Sequence, residues 1–106
     1  MDIQQLNNKF AIPGHIEFGA GQGNFTIARI ANANATAIIS LYGAHVQSYI
    51  PKGQKEVLWM SPQSAFTEGK AIRGGIPVCF PWFGPHATDT QKPMHGFARL
   101  SKWGIY

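Results

Sequence analysis

The chain has 106 residues, enough for a single domain. Apolar residues make up 44% of it and charged residues only 13%, a balance that excludes a disordered chain. The net charge of +4 arises entirely in residues 51–106 and forms no basic run, so it argues against nucleic-acid binding and suits a small anion such as phosphate.

Short segments in which apolar residues alternate follow one another along the chain, and this pattern predicts β-strands. The predicted strands are residues 15–19, 24–30, 35–41, 45–50 and 56–60. Turns rich in glycine, asparagine and proline separate them, as in a series of hairpins. Only residues 61–72, with Pro62 and several serines, are expected to hold a short helix.

The fold class predicted from these segments is all-β, an antiparallel β-sandwich built from a meander. A meander of about five strands cannot close on itself, so we expect an unpaired edge through which the chain could self-associate. Cys79 is the single cysteine, which excludes a disulfide scaffold and favours a reducing compartment. With no signal sequence and no apolar run near the ~20 residues that span a bilayer, we expect a cytoplasmic protein without membrane contact.

The sequence "GKAIRGGIPVCFPWFGPH", residues 69–86, is unusually stiff. Pro77 and Pro81 lack backbone donors and must lie at a sheet edge or beside a cleft. Trp82 and Phe83 would either pack in the core or form the wall of a cleft. Because arginines and a histidine flank the segment, its polar groups and aromatic rings together predict a small-ligand site.

The flanking residues that could perform chemistry are Arg73, His95 and Arg99. A guanidinium group binds phosphate or carboxylate with two hydrogen bonds, although a lone arginine is also a common surface ion-pair partner. A histidine is suited to proton transfer near neutral pH, or it can be purely structural. The four histidines are not spaced as metal ligands, and no phosphate-binding loop or dinucleotide motif is present, so neither a metal nor a nucleotide is expected.

Four sequence segments, "GAHVQSYIP", "VLWMS", "AFTEGKAIRGGIPVCFPWFGPH" and "HGFAR", occur in the order found in a known family. Together they resemble the N-terminal part of the hexose-6-phosphate mutarotases, the glucose-6-phosphate 1-epimerase branch of the aldose 1-epimerase superfamily. The family fold is a large twisted β-sandwich. The resemblance therefore implies that residues 1–106 are the N-terminal portion of a single β-sandwich mutarotase domain.

The resemblance also implies an isomerase that interconverts the α and β anomers of a sugar or sugar phosphate by opening and reclosing the ring. No cofactor is implied, because ordinary side chains can carry both proton transfers. His95 matches a catalytic histidine near the ring oxygen. Arg73 and Arg99 match arginines near the substrate phosphate, and Trp82 and Phe83 would be cleft walls.

The sequence departs from the family pattern in its acids. Family members are much longer, and their second histidine, an aspartate and the glutamate base lie in the later part. Glu56, Glu68 and Asp89 do not fit the motif of that base. We therefore expect a fragment that is inactive alone, and two alternatives stay open: a non-catalytic carbohydrate-phosphate binding module and a module that assembles through its β-edge.

Overall fold

The computed structural model describes all 106 residues and contains one antiparallel sheet in the strand order β1-β2-β3-β4. The regular elements are α1 (Ile3–Phe10), β1 (Ile16–Ala20), β2 (Thr26–Ala31), β3 (Ala35–Ser40) and β4 (His45–Pro51). Four of the five predicted strands are present within a residue or two, and the all-β prediction is confirmed. No helix has the length and apolar character needed to cross a membrane.

Helix α1 was not predicted, because its residues are mostly polar. A capping box begins it: the Asp2 carboxylate accepts from the Gln5 backbone N–H at 2.8 Å, and the Gln5 side chain accepts from the Asp2 N–H at 2.9 Å. The helix contributes Leu6 to a buried cluster with Phe18 and Ala28 of the sheet. Leu6 therefore holds the helix on the sheet together with the partly buried Ile3 and Phe10, which pack against the same cluster.

The helix predicted within residues 61–72 is absent, and that prediction is wrong. Its serines, interpreted as a helix start, bind the backbone of Arg73 instead. The Ser64 hydroxyl accepts from the Arg73 N–H at 3.1 Å, and the Ser61 N–H donates to the Arg73 carbonyl at 3.0 Å. These bonds fold the segment back on itself as a loop.

The fifth predicted strand, residues 56–60, is also wrong, since only Met60 forms an isolated bridge, to Gly74. The Glu56 carboxylate accepts from the backbone N–H groups of Tyr49 and Leu58, at 2.8 and 3.1 Å. A side chain thus takes one of the bonding positions beside β4, next to a single backbone bond from the Val57 N–H to the Tyr49 carbonyl at 3.0 Å.

The sequence predicts an unpaired sheet edge without indicating which strand forms it, and the outer edge of β1 is covered at its centre by α1. The Asn7 side-chain amide donates to the Phe18 carbonyl at 2.9 Å and accepts from the Phe18 N–H at 2.8 Å. One asparagine therefore satisfies both backbone groups that an adjacent strand would bind.

A second buried cluster joins the sheet to the loop before Arg73. It consists of Phe25, Tyr42 and Ile72, and the rings of Phe25 and Tyr42 stack with centroids 4.3 Å apart. The Tyr42 hydroxyl donates to the Lys70 carbonyl at 2.9 Å. This cluster anchors the stiff segment on the end of the sheet where β3 turns into β4.

Candidate active site

The Arg73 side chain is exposed, but its backbone is held from several sides. Besides the two serine contacts described above, the Gly75 N–H donates to the Trp59 carbonyl at 2.8 Å. Val46 of β4 and Ile76 exchange a pair of backbone hydrogen bonds at 3.3 and 2.9 Å. Arg73 therefore projects from a fixed loop that adds to the edge of β4.

Two glycines after Arg73 make this close approach to β4 sterically feasible. Gly74 and Gly75 have φ values of 102° and 63°, in the region that side-chain-bearing residues rarely adopt. A Cβ at Gly75 would overlap the Val46 carbonyl oxygen, and one at Gly74 would lie 2.5 Å from the Trp59 carbonyl oxygen. The paired glycines thus fix where the neighbouring arginine emerges.

Arg99 is positioned by the same end of the sheet. The Gly43 N–H, in the β3–β4 turn, donates to the Ser101 carbonyl at 2.7 Å, and the Trp103 N–H donates to the Leu41 carbonyl at 2.9 Å. A Cβ at Gly43 would lie 2.8 Å from the Arg99 carbonyl oxygen. The segment carrying Arg99 is therefore packed tightly on the turn.

The structure brings Arg73 and Arg99 together at one surface depression of about 490 Å³. Lys70 also lines it, and no carboxylate does. Its remaining lining residues are Gln63, Ala65, Gly69, Ala71, Pro93 and Leu100. Three cations with no carboxylate among the lining residues are an arrangement that can bind a multiply charged anion such as phosphate.

A larger cavity of about 720 Å³ lies elsewhere, beside the stacked Phe25 and Tyr42 rings. The charged side chains that line it, Glu68 and Lys102, form an ion pair at 2.7 Å. Because these charges satisfy each other, the smaller depression with its unbalanced cations is the better candidate for a site.

His95 is held in one orientation by Gly84. The Gly84 N–H donates to His95 Nδ1 at 2.8 Å, and the His95 N–H donates to the Gly84 carbonyl at 2.8 Å. A backbone N–H can only donate, so Nδ1 must be unprotonated and the neutral ring carries its proton on Nε2. Nε2 binds no group of the chain, which leaves an N–H available for a ligand oxygen.

The two predicted wall aromatics occupy different environments. Phe83 is 80% exposed, and its ring lies 4.6 Å from that of His95, centroid to centroid. Trp82 is half-buried, donates its indole N–H to the Pro93 carbonyl at 3.0 Å and meets the Phe97 ring edge-on at 4.9 Å. Phe83 is therefore open to a ligand, while Trp82 braces the loop that carries His95.

The arginine depression and the His95–Phe83 pair are neighbours. A guanidinium nitrogen of Arg99 donates to the carbonyl of Met94, the residue before His95, at 2.8 Å, and Pro93 lines the depression. His95 itself does not line the depression. A hydrogen-bond donor and an aromatic face therefore lie beside the cationic depression.

The three carboxylates of residues 51–106, Glu56, Glu68 and Asp89, all have partners of their own. Glu56 accepts hydrogen bonds from the Ser48 hydroxyl and from backbone amides, and these bonds lower its pKa. Glu68 pairs with Lys102, and Asp89 accepts from the Gln91 N–H at 2.9 Å. These three carboxylates are therefore each already engaged by another group of the chain.

His45 is a residue of this region that sequence reasoning missed. Its side chain is completely buried, and its Nε2–H donates to the Gly74 carbonyl at 2.6 Å. Burial lowers the pKa of His45, and the charge of Arg99 lowers it further. Its partner lies 29 residues further along the chain, so no local pattern could have indicated the contact.

Fold and site together describe a β-sheet protein with a cationic surface depression at the end of its sheet. A sequence model of the aldose 1-epimerase family matches residues 26–105. The chain therefore belongs to the aldose 1-epimerase family, as its resemblance to the mutarotase branch predicted.

Individual relatives agree with this assignment. The chain is 54% identical over 69 residues to a protein of Escherichia coli (strain K12) named "Putative glucose-6-phosphate 1-epimerase", covering 65% of the chain and 23% of that relative. A Salmonella typhimurium protein of the same name is 49% identical over 69 residues, again 65% of the chain and 23% of the relative. The chain thus spans about a quarter of the length of these curated relatives.

A solved structure shows the same fold. The crystal structure of a "putative mutarotase" from Salmonella typhimurium is similar with a TM-score of 0.79 and 36% identity, covering 95% of this chain and 36% of that one. The prediction of a mutarotase-like β-sandwich fold, of which these residues form a part, is confirmed.

Proposed function

We propose that this chain provides the phosphate-binding and ring-oxygen side of a hexose-6-phosphate mutarotase. The observation that carries the proposal is the convergence of Arg73 and Arg99, with Lys70, on one depression without a carboxylate. Family membership and the names of the relatives supply the reaction class, and the unbalanced cations select a phosphorylated sugar over a neutral one.

The reaction breaks the bond between C1 and the ring oxygen. A base takes the O1 proton, the O1 electrons form the C1 carbonyl, and the ring oxygen receives a proton. His95 donates a hydrogen bond from Nε2–H to the ring oxygen and stabilises the negative charge that develops there while a proton arrives from water, and Phe83 contacts the sugar face. Closing the ring onto the other face of the carbonyl gives the other anomer.

Binding of the sugar phosphate is tested by NMR titration of the chain with glucose 6-phosphate and, in parallel, with glucose. Only the phosphate ester should shift the signals of Arg73 and Arg99. Replacing Arg99 with Ala should weaken binding at least about tenfold, because it removes charge-assisted hydrogen bonds. Lys52→Ala removes an equal charge outside the depression and serves as the control. Equal binding of glucose, or unchanged binding by the Arg99 variant, would contradict the proposal.

The chain alone should not accelerate anomer exchange of glucose 6-phosphate, because no carboxylate is placed beside His95. NMR exchange spectroscopy measures this directly, and a clear acceleration by the chain would refute the missing-base argument. In a complete enzyme with this site, His95→Ala should lower kcat by ~10²–10⁴, while Arg99→Ala should mainly raise KM. An unchanged kcat for the His95 variant would remove its catalytic role.

A non-catalytic carbohydrate-phosphate binding module is the second candidate, and the engagement of Glu56, Glu68 and Asp89 elsewhere favours it. Added formate distinguishes the two, since a small carboxylate can replace a missing base. Formate should accelerate exchange in the wild-type chain more than in Arg99→Ala if the site is a mutarotase site, and equally in both if it only binds.

Self-association through a sheet edge is the remaining alternative. Sedimentation velocity tests it, and a concentration-independent monomer would exclude it. Asn7 covers β1 at Phe18, so the covered edge disfavours pairing there. A cytoplasmic location and the absence of nucleic-acid and membrane partners stay predictions.

A further inference from the structure

His45 is one of only two polar residues in the chain that are buried, and its ring lies between the sheet and the loop of Arg73. It is the first residue of β4. Its Nε2–H donates to the Gly74 carbonyl at 2.6 Å, and a Cβ at Gly75 would lie 3.0 Å from the same ring nitrogen. The ring thus fills the space against the two glycines that follow Arg73.

The other ring nitrogen of His45 has no hydrogen-bond partner. Neither has the buried hydroxyl of Ser40, which lies directly opposite His45 in the β3–β4 register. The Gly74 carbonyl is therefore the only hydrogen-bond partner of the ring. Burying a polar side chain with only one hydrogen-bond partner costs free energy of folding. Packing alone therefore does not explain why a histidine lies beside the backbone of Arg73.

The same turn of the sheet also holds the second arginine. Gly43 packs on the Arg99 carbonyl, and Arg99 Nε is buried without a partner. The Arg99 charge is close enough to His45 to affect its pKa. The β3–β4 turn thus contacts both arginine-bearing segments, with His45 facing one and Gly43 facing the other.

We propose that His45 is a positioning residue for the anion site: its Nε2–H fixes the Gly74 carbonyl and thereby the direction in which Arg73 enters the depression. This role rests on the proposed function of the site. It makes no contact with the ligand. Loss of the donor frees the peptide group next to Arg73, and the two guanidinium groups no longer converge.

The test uses the 106-residue chain and three substitutions. His45→Gln keeps an N–H donor that reaches as far as Nε2, whereas His45→Leu has a similar volume and no donor. Phe18→Leu, in the cluster beneath α1, lowers stability without contact with the site and is the control for general loosening. Two readouts are measured: hydrogen exchange of the Gly75 amide without ligand, and NMR titration with inorganic phosphate.

His45→Leu should increase exchange of the Gly75 amide, which binds the Trp59 carbonyl, and weaken phosphate binding by about 10- to 100-fold, the range usual when an orienting residue is lost. His45→Gln should retain both properties within a few-fold, as should Phe18→Leu. If His45→Leu and Phe18→Leu behave alike in both readouts, His45 is only a core residue and the role is refuted.

If His45→Leu does not fold, His45→Asn replaces it, because its donor is too short to reach Gly74. Equal phosphate binding by the Gln and Asn variants would then refute the role, and weaker binding by Asn alone would support it. Failure of the wild-type chain to bind phosphate would instead refute the proposed function. The Gly75 exchange data would still decide whether His45 positions the loop.

Discussion

Acidification should destabilise the chain through His45 at a pH well above the range in which carboxylates protonate. Burial lowers the pKa of His45 below its ordinary value of 6.5, so the unfolded chain binds the proton more readily than the folded one. The stabilising effect of the neutral ring is therefore complete above pH 6.5 and is lost as the pH falls toward the folded-state pKa. The slope is at most about 1.4 kcal/mol per pH unit for one proton.

The comparison with His45→Gln isolates this effect, since every other ionisable group titrates in both proteins and cancels in the difference. Between pH 7.5 and 5.5, the wild-type chain should lose up to about 1.4 kcal/mol of unfolding free energy relative to the glutamine variant. Urea denaturation followed by tryptophan fluorescence at several pH values measures the difference. Parallel curves for the two proteins over this range would refute the assignment of His45 as a buried neutral ring.

Four further substitutions, one of them a control, test the fold. Gly75→Ala should lower the free energy of unfolding by about 3 kcal/mol or more, because a Cβ would overlap the Val46 carbonyl. Gly53→Ala is the control, since Gly53 is also at positive φ but in open space, and it should lower that free energy by only about 1 kcal/mol. Urea denaturation measures both. Asn7→Ala should lower the free energy of unfolding by about 1–3 kcal/mol, because both hydrogen bonds to Phe18 are lost. Sedimentation velocity should also show more self-association of this variant. An unchanged monomer would mean that α1 is not needed to cover the edge of β1. Asp2→Ala should cost about 1 kcal/mol and reduce helical circular dichroism, and no change would show that the capping box is not formed in solution.

The four strands could be predicted because each is a short alternating segment bounded by turn residues, and the signal is complete within a few residues. The errors lie where side chains replace backbone partners. Glu56 binds the edge of β4 in place of a fifth strand, and Ser64 binds Arg73 instead of capping a helix. Helix α1 had two local signals, the capping box of Asp2 and Gln5 and the helical spacing of the apolar residues Ile3, Leu6 and Phe10.

The site could be predicted only as far as its residues carry local or family signals. Arg73 and Arg99 lie in recognisable motifs, and their unbalanced charge is visible in the sequence. His45 gives no such signal, because a histidine in a strand has the same local pattern whether it faces solvent or the core.

The need for His45 arises from the glycine pair that lets the Arg73 loop approach β4. Once Gly74 and Gly75 bring that backbone against the sheet, the Gly74 carbonyl turns toward the first residue of β4 and must find a donor there. A histidine can supply this donor from Nε2, at the far end of its ring, while the ring stays neutral in the core. The glycines that permit the arginine's position therefore require the histidine that fixes it, so exchanging either without the other should impair the anion site.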